Sequence, residues 1–344
     1  MKKRRQRSYG RVSMVLWLIL IVMYSILFFS MRNLKAQVKD MQSGIEALQR
    51  GTGTGSLAEN GDGAGSVNGD GAGSVNGDGT GSVNEYGDNG WADGEEAYYA
   101  STIPVLQVDK PVERTRTEAL EYLQSLAADN ETIREICDNS ARYPERLLTA
   151  LANNPEMADF ALGYLTGKTG TSGGLTQAET REEFPLLLQW DPRWGYESYG
   201  EESNIGLSGC GPTCISMVMF YFTRNEELTP DVIAAYSETN GYYVEGTGTA
   251  WALMEDMPKT YGITVSKPKV SKAQMQNLLE QGGVIICAMG KGDFTVSGHF
   301  IVIYGYDKEG FLVNDPNCVA RSRKKWTYDE ISGQIKGIWG YRKT

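Results

Sequence analysis

Histidine is nearly absent from this chain, which has one histidine, His299, among its 344 residues. A metal site built from clustered histidines is therefore excluded, and any reaction that needs an imidazole must use this one residue. The sequence also lacks a nucleotide-binding motif of the Gly-x4-Gly-Lys-Ser/Thr kind. We expect neither a metal nor an organic cofactor.

Basic residues are also few, with 33 Lys and Arg against 43 Asp and Glu. Six of the basic residues precede residue 12 with no acid among them, so the remainder of the chain has 27 basic and 43 acidic side chains. A nucleic-acid-binding protein needs a basic face. The charge balance therefore argues against nucleic acid as a partner.

Residues 12–31 form a run of twenty uncharged, mostly apolar residues between Arg11 and Arg32. At about 1.5 Å per residue, a helix of this length spans the roughly 30 Å hydrocarbon layer of a membrane. A cleavable signal peptide is the alternative, although its apolar core is usually only about 7–15 residues long. We expect a single transmembrane helix. The basic tail, residues 1–11, predicts a cytoplasmic N-terminus and an extracytoplasmic catalytic domain.

The next two segments are typical of spacers. Apolar residues at alternating three- and four-residue steps over 31–48 indicate a helical stalk, residues 32–50, which either simply continues the membrane helix or joins two copies as a coiled-coil homodimer. In the linker 51–111, the unit NGDG(A/T)GSV occurs three times, and chain this rich in glycine is a flexible tether. Calcium binding is a lesser alternative for its Asp-Gly pairs, because neither EF-hand spacing nor the calcium-binding nonapeptide pattern is present.

Residues 112–166 predict a small helical module without any chemical motif. Helix-start residues followed by apolar positions predict helices over 117–127, 130–140 (with Asn130 as N-cap), 144–152 (with Pro144 in the first helical position) and 155–165. A second linker, residues 167–183, is rich in Gly, Thr and Ser at its start.

Residues 184–344 predict one α+β domain, in which helices precede a run of strands. The predicted helices cover 211–223, 230–237, 250–261 and 272–281, the last opened by a capping box of Ser271 and Gln274. The predicted strands cover 284–288, 299–306, 311–314 and 338–342, with a four-residue turn at 307–310 between the middle pair.

Cys210 lies in the run Ser-Gly-Cys-Gly-Pro-Thr-Cys, directly before an apolar helix. Because Pro212 suits the first turn of a helix, Cys210 is expected at the helix N-terminus, where free N–H groups and the helix dipole favour a thiolate. A tight turn around a buried thiol is the alternative. Cys214 follows one helical turn later in an unbroken apolar run, and we expect it in the core.

His299 begins one predicted strand and Asp315 follows the end of the next, so a hairpin brings both toward one end of the sheet. A carboxylate there could orient the imidazole and stabilise its charged form. Simple pairing around the turn sets Asp315 opposite Val302, so a twist or bulge must supply the remaining offset. A structural histidine and an ordinary Asn-Asp-Pro turn are the alternatives.

Together these blocks resemble the papain-like cysteine peptidases, and most closely the C39-like group related to double-glycine bacteriocin-processing peptidases. The resemblance covers residues 186–341 and rests on the segments Gln-Trp-Asp-Pro-Arg-Trp (189–194), Gly-Cys-Gly-Pro-Thr (209–213), Gly-His-Phe-Ile-Val (298–302) with Gly-Tyr-Asp (305–307), and Val-Asn-Asp-Pro (313–316). It implies a papain-like fold in which Cys210 is the nucleophile, His299 the base and Asp315 the orienting carboxylate.

The resemblance also implies that Gln189 stabilises the oxyanion, although it lies 21 residues before Cys210, farther than in many papain-like enzymes. A glutamine that merely caps a loop is the alternative. The transporter-linked members of the group carry a nucleotide-binding motif that this chain lacks, so a Gly-Gly leader is not implied as the substrate.

The sequence thus predicts a membrane-anchored extracytoplasmic cysteine peptidase acting on exported or cell-wall peptides. Acyl or peptidyl transfer by the same fold is one alternative, and a catalytically silent surface-binding module is another. We expect the cysteines to be free buried thiols more than disulfide partners; they are Cys137, Cys210, Cys214, Cys287 and Cys318.

Overall fold

A computed structural model describes residues 99–167 and 173–343, which all lie in one compact unit. The basic tail, the apolar run 12–31, the stalk and most of the first linker fall outside the described residues, so the predictions made for them rest on sequence alone. Among the described residues, no helix is long and apolar enough to cross a membrane.

Residues 99–167 form a layer of short helices, called the helical layer below. Thr115 and Asn130 accept hydrogen bonds from backbone N–H groups at two of the helix starts, as expected for N-caps. Its elements are α1 (Tyr99–Thr102), α2 (Arg116–Leu126), α3 (Glu131–Asp138), a 3₁₀ turn (Ser140–Arg142), α4 (Glu145–Asn153), a 3₁₀ turn (Pro155–Met157) and α5 (Ala158–Gly163).

The rest of the described chain is a mixed helix and sheet domain, as predicted. Its helices are α6 (Gln177–Arg181), α7 (Ile205–Ser208), α8 (Cys210–Thr223), α9 (Pro230–Thr239), α10 (Leu253–Thr260), α11 (Lys272–Glu280), α12 (Val319–Arg323) and α13 (Tyr328–Ser332). Its strands are β1 (Tyr243–Val244), β2 (Gly248–Thr249), β3 (Ile263–Ser266), β4 (Val284–Met289), β5 (His299–Tyr306), β6 (Phe311–Asn314), β7 (Lys325–Trp326) and β8 (Ile335–Lys343).

Six of the strands form an antiparallel sheet in the order β3-β8-β4-β5-β6-β7. Every residue of β4 is buried, because both faces of the sheet are covered. Ile286 packs into the core shared with α8, whereas its neighbours Ile285 and Cys287 pack into the core on the opposite face, next to α11. This two-sided burial explains why β4 is apolar throughout instead of alternating.

Several local predictions were wrong. Pro144 is the N-cap of α4 and does not occupy its first helical position. Ser271 makes no side-chain cap, because Gln274 accepts a hydrogen bond from the backbone N–H of Lys269 and the predicted capping box does not form. Residues assigned to the two linkers also form helices, namely α1 and α6.

A β-bulge in the β5–β6 hairpin sets the register that the site depends on. Ile303 pairs with Val313 but Gly305 pairs with Leu312, so Tyr304 is an extra residue on β5. Simple pairing would leave Asp315 opposite Val302. The bulge moves the register by one residue, and a one-residue shift reverses the face on which a side chain lies.

The helical layer and the α+β domain share a hydrophobic core. Leu188, Trp190 and Val319 of the domain are buried together with the apolar side chains of the layer. The two parts also approach closely, since a Cβ atom at Gly206 would lie 2.3 Å from the ring of Phe160. Because this core crosses the boundary, we expect the two parts to unfold as one cooperative unit.

Phe160→Ala tests this shared core. Phe160 is fully buried and stacks on Tyr196 of the domain with ring centroids 4.7 Å apart. We expect the substitution to lower the free energy of unfolding by about 3–5 kcal/mol. Urea unfolding would be followed by tryptophan fluorescence and by circular dichroism, and the two transitions should shift together. Val232→Ala, at a position 45% exposed, is the control and should change little. Two separate transitions would contradict a common core.

Candidate active site

Cys210 is the first residue of α8, at the end of the helix where backbone N–H groups have no partner within the helix. The N-cap is Gly209, whose lack of a side chain leaves these N–H groups uncapped. The positive end of the helix dipole therefore lies next to the Cys210 sulfur. The thiol is partly exposed, so a substrate can reach it.

Cys214, one turn along the same helix, is fully buried as predicted. Burial raises the pKa of the Cys214 thiol well above its ordinary value, and the nearby Cys210 and Asp315 add to that shift. The helix thus presents its first cysteine to the cleft and its second to the core. All five cysteines of the chain lie within the described residues and are free thiols.

His299 and Asp315 form a buried ion pair. The His299 Nε2 and Asp315 Oδ1 atoms are 2.6 Å apart, and the two side chains are only 8% and 0% exposed. Asp315 directly follows Asn314, the last paired residue of β6, and His299 is the first residue of β5, so the bulged hairpin brings both to the same end of the sheet, as predicted.

The pKa of His299 reflects two opposing effects. Burial lowers it, but the charge of Asp315, the hydrogen bond to Asp315 and the nearby Cys210 side chain outweigh burial and raise the pKa to about 10. Since Nε2 faces Asp315, Nδ1 is the ring nitrogen left for the thiol. The raised pKa favours the imidazolium form of the ring, which can release a proton at Nδ1.

The surroundings of Asp315 contain a residue that sequence reasoning missed. Oδ1 accepts a second hydrogen bond, 2.8 Å long, from the backbone N–H of Asn317. Arg321, on α12, is 5% exposed and places its Nη1 atom 3.6 Å from Oδ2. Burial raises the pKa of Asp315, but the charges of His299 and Arg321 outweigh it and hold the pKa below its ordinary value.

Gln189 lies in the same cleft, behind the start of α8. Its Nε2 atom donates a 2.8 Å hydrogen bond to the carbonyl of Gly206. Its backbone N–H donates a hydrogen bond to the carbonyl of Pro316. A carboxamide nitrogen has two N–H groups. One of them is therefore left over after the hydrogen bond to Gly206, and the oxyanion role stays a prediction.

The site opens into a cleft of about 930 Å³ that the helical layer and the α+β domain enclose together. Arg146, on α4, donates hydrogen bonds to the hydroxyls of Ser203 and Ser208 at one wall. The cleft is lined from the layer by Val112, Glu113, Arg114, Arg146, Thr149, Ala150 and Asn153, and from the domain by residues that include Gln189, Cys210, Tyr243, Trp251, Phe294, His299 and Lys336.

The four residues predicted for the site, Gln189, Cys210, His299 and Asp315, therefore come together from four separate elements. Within residues 99–167 and 173–343, no cluster of three or more His, Cys, Asp or Glu side chains has the arrangement of a metal site.

Comparison with known proteins assigns residues 181–344 to the Peptidase_C39 like family. The chain is similar to the peptidase domain of Streptococcus ComA, a bifunctional ABC transporter of a quorum-sensing pathway, with 17% identity over 40% of this chain and 93% of that one and a TM-score of 0.32. It is also similar to a Bacillus anthracis protein described as a C39-like peptidase, with 14% identity over 40% and 90% of the two chains and a TM-score of 0.29. No curated protein matches it.

The titration of His299 tests the ion pair directly, because the chain's one histidine gives one unambiguous ring signal. With [¹³C]histidine and no histidine tag, NMR should show His299 titrating near pH 10. Asp315→Asn should lower that pKa by roughly 3 units or more, because burial still lowers it and the largest contribution that raises it is removed. Asp307→Asn, which changes an exposed carboxylate in the turn of the same hairpin, is the control and should leave the titration unchanged.

The raised pKa of His299 also makes the stability of the fold depend on pH. Because the folded-state pKa of His299 exceeds its ordinary value of 6.5, the pair stabilises the fold fully below about pH 6.5, and this contribution is lost as pH rises through about 10. Asp315→Asn should therefore flatten the alkaline decline in stability. A histidine that titrates near 6.5 in the wild type would contradict the ion pair.

Proposed function

Residues 181–344 belong to the C39-like peptidase family, and from that premise we propose that this protein is a cysteine peptidase that hydrolyses peptide bonds. The observation that carries the proposal is the position of the chain's one imidazole. His299 hydrogen-bonds to Asp315, and Cys210 lies close enough to raise the pKa of the same imidazole, inside a cleft large enough for a peptide.

In the proposed reaction, the Cys210 thiolate attacks the carbonyl carbon of a peptide bond and forms a tetrahedral oxyanion. The backbone N–H of Cys210 and the free N–H of Gln189 are the proposed donors to that oxygen. His299 gives its Nδ1 proton to the departing amine, which leaves an acyl group on the sulfur. His299 then accepts a proton from water as the water attacks the acyl-enzyme, and the thiolate is regenerated.

Asp315 has a supporting role in this scheme. Its Oδ1 atom holds Nε2 of the imidazole, so Nδ1 stays aimed at the sulfur. The carboxylate also stabilises the imidazolium that exists before each proton transfer. An amide at this position could still orient the ring but would supply no charge.

We further propose that the enzyme acts outside the cytoplasm, anchored by residues 12–31. Exported or cell-wall peptides are then the expected substrates. The same acyl-enzyme could be attacked by an amine instead of water, which would make the protein an acyl or peptidyl transferase. A surface-binding module without turnover is a candidate of a different class, and the site variants below distinguish it.

Cys210→Ala and Cys214→Ala are a matched pair one helical turn apart. Cys210→Ala should abolish both the cleavage of a fluorogenic peptide mixture and labelling of this helix by iodoacetamide near pH 7. Cys214→Ala should retain both and lose only stability, because it shortens a fully buried side chain. His299→Ala should abolish cleavage as completely as Cys210→Ala, since no second imidazole can replace it.

If Cys214→Ala removed activity while Cys210→Ala kept it, the proposed site would be wrong by one helical turn. Product formation that depends on an added amine would identify a transferase. Wild type and variants that fold and bind a surface partner equally well, without any turnover, would identify a binding module.

The proposed anchor is tested by protease treatment of intact cells. Cleavage should release residues beyond about position 51, because open Gly-rich chain is readily cut, and should leave the segment 12–31 in the membrane fraction. Mass spectrometry of the released fragment would locate the cut. A secreted wild-type chain that begins after Met31 would instead establish a signal peptide.

A further inference from the structure

We infer that Arg321 is a positioning residue for the proposed reaction, acting through Asp315, and that the helical layer holds Arg321 in place. The inference rests on the proposed function, and it assigns the helical layer a part in the active site. Three sets of contacts support it: those between Arg321 and Asp315, those between Arg321 and the layer, and those between the layer and the loop that carries Asp315.

The first set concerns the carboxylate oxygen that the histidine does not use. Asp315 Oδ2 is buried and has no hydrogen-bond partner among the described residues. The charge that faces it is the Arg321 guanidinium, with Nη1 at 3.6 Å. A buried carboxylate is costly unless opposite charge or hydrogen bonds compensate it. Arg321 supplies that charge on the side of Asp315 facing away from His299.

The second set concerns the other end of the guanidinium. Arg321 Nη2 lies 3.4 Å from the carbonyl oxygens of both Asp109 and Asn153, and both residues belong to the helical layer. The planar guanidinium therefore bridges two carbonyls of the layer and one carboxylate of the site. An arginine suits this position because its fixed fork of donors can face several acceptors at once.

The third set concerns the segment between Asp315 and Arg321. Glu156 of the layer accepts hydrogen bonds of 2.7 and 2.9 Å from the backbone N–H groups of Val319 and Ala320, at the start of α12. Asn154 donates to the carbonyl of Asn317. The layer thus holds the loop after Asp315 and the helix that carries Arg321. A shift of the layer would move the carboxylate that orients His299.

Charge and position can be separated by experiment, because several groups face Asp315. His299 approaches from β5, Arg321 and Cys318 from the loop and α12, and Cys214 from α8, with Glu156 beyond Cys318. Of these, His299 and Arg321 are the cations. Removing Arg321 should therefore make Asp315 easier to protonate, and the resulting loss of the ion pair should appear in the acidic part of the His299 titration.

The experiment compares three variants of the full chain. Arg321→Met removes the charge at similar length, and Arg321→Lys keeps the charge but replaces the fork with a single nitrogen. Arg323→Met, on the exposed side of the same helix, is the matched control. Two quantities are measured for each: the acidic inflection of the His299 ring signal by NMR, and kcat and KM with one peptide chosen from a fluorogenic mixture.

We expect Arg321→Met to raise the acidic inflection by about 1 unit or more and to lower kcat about 10- to 100-fold with little change in KM. Arg321→Lys should keep the inflection near that of the wild type but leave kcat reduced, because the bridge to the layer is lost. Arg323→Met should change neither quantity. If Arg321→Met does not fold, the reduced kcat of Arg321→Lys carries the test.

Three outcomes would overturn the inference. An unchanged inflection and kcat in Arg321→Met would leave Arg321 without a role in the site. Wild-type kcat in Arg321→Lys would show that the charge alone matters and that the contacts between Arg321 and the helical layer do not affect the reaction. An equal loss in Arg323→Met would indicate a general effect of disturbing α12. If the wild type cleaves no peptide, the proposed function fails, while the NMR titration still decides whether Arg321 acts on Asp315.

Discussion

The ion pair between His299 and Asp315 is the constraint on which the rest of the site depends. Both side chains are almost completely removed from water, and a buried ion costs several kcal/mol unless its surroundings compensate it. The compensation comes from separate parts of the chain. The backbone N–H of Asn317 donates a hydrogen bond to Asp315, and the guanidinium of Arg321 pairs with it. Cys210 helps to raise the pKa of the imidazole. A pair this dependent on its neighbours fixes the relative positions of α8, the β5–β6 hairpin and α12.

The hairpin meets this constraint through one extra residue. Side chains alternate between the two faces of a strand. A shift of the pairing by one residue therefore moves a side chain to the opposite face, whereas a shift by two residues keeps it on the same face. Tyr304 is the bulged residue, and it shifts the pairing of the last residues of β6 by one position along β5. The bulge also increases the local twist of the strands. The meeting of His299 and Asp315 thus depends on the path of the hairpin as well as on the identities of the two residues.

Sequence patterns predicted the parts of the structure that have strong periodicity or a strong local signal. Helix α8 and strands β4, β5 and β6 were foreseen, as was the meeting of Cys210 with His299 and Asp315. Strands β1, β2 and β7 were missed because each has only two residues, too few to show a pattern, and β3 was also missed. Arg321 was missed for a related reason: α12 has only five residues, and nothing local distinguishes a buried arginine from an exposed one. Its burial depends on the helical layer, which is more than 150 residues away in the chain.

The helical layer changes how the family resemblance is to be understood. The family match covers residues 181–344, yet the cleft is closed on one side by α4 and the segment before α2, which precede that match. Removing the layer would expose the apolar face around Leu188, Trp190 and Val319, and would leave Arg321 without its two carbonyl partners. The proposed chemistry therefore belongs to the shared domain, whereas the walls that meet a substrate belong partly to this chain's own helices. If the proposed chemistry holds, selectivity for a substrate is set partly by surfaces that the common fold does not specify.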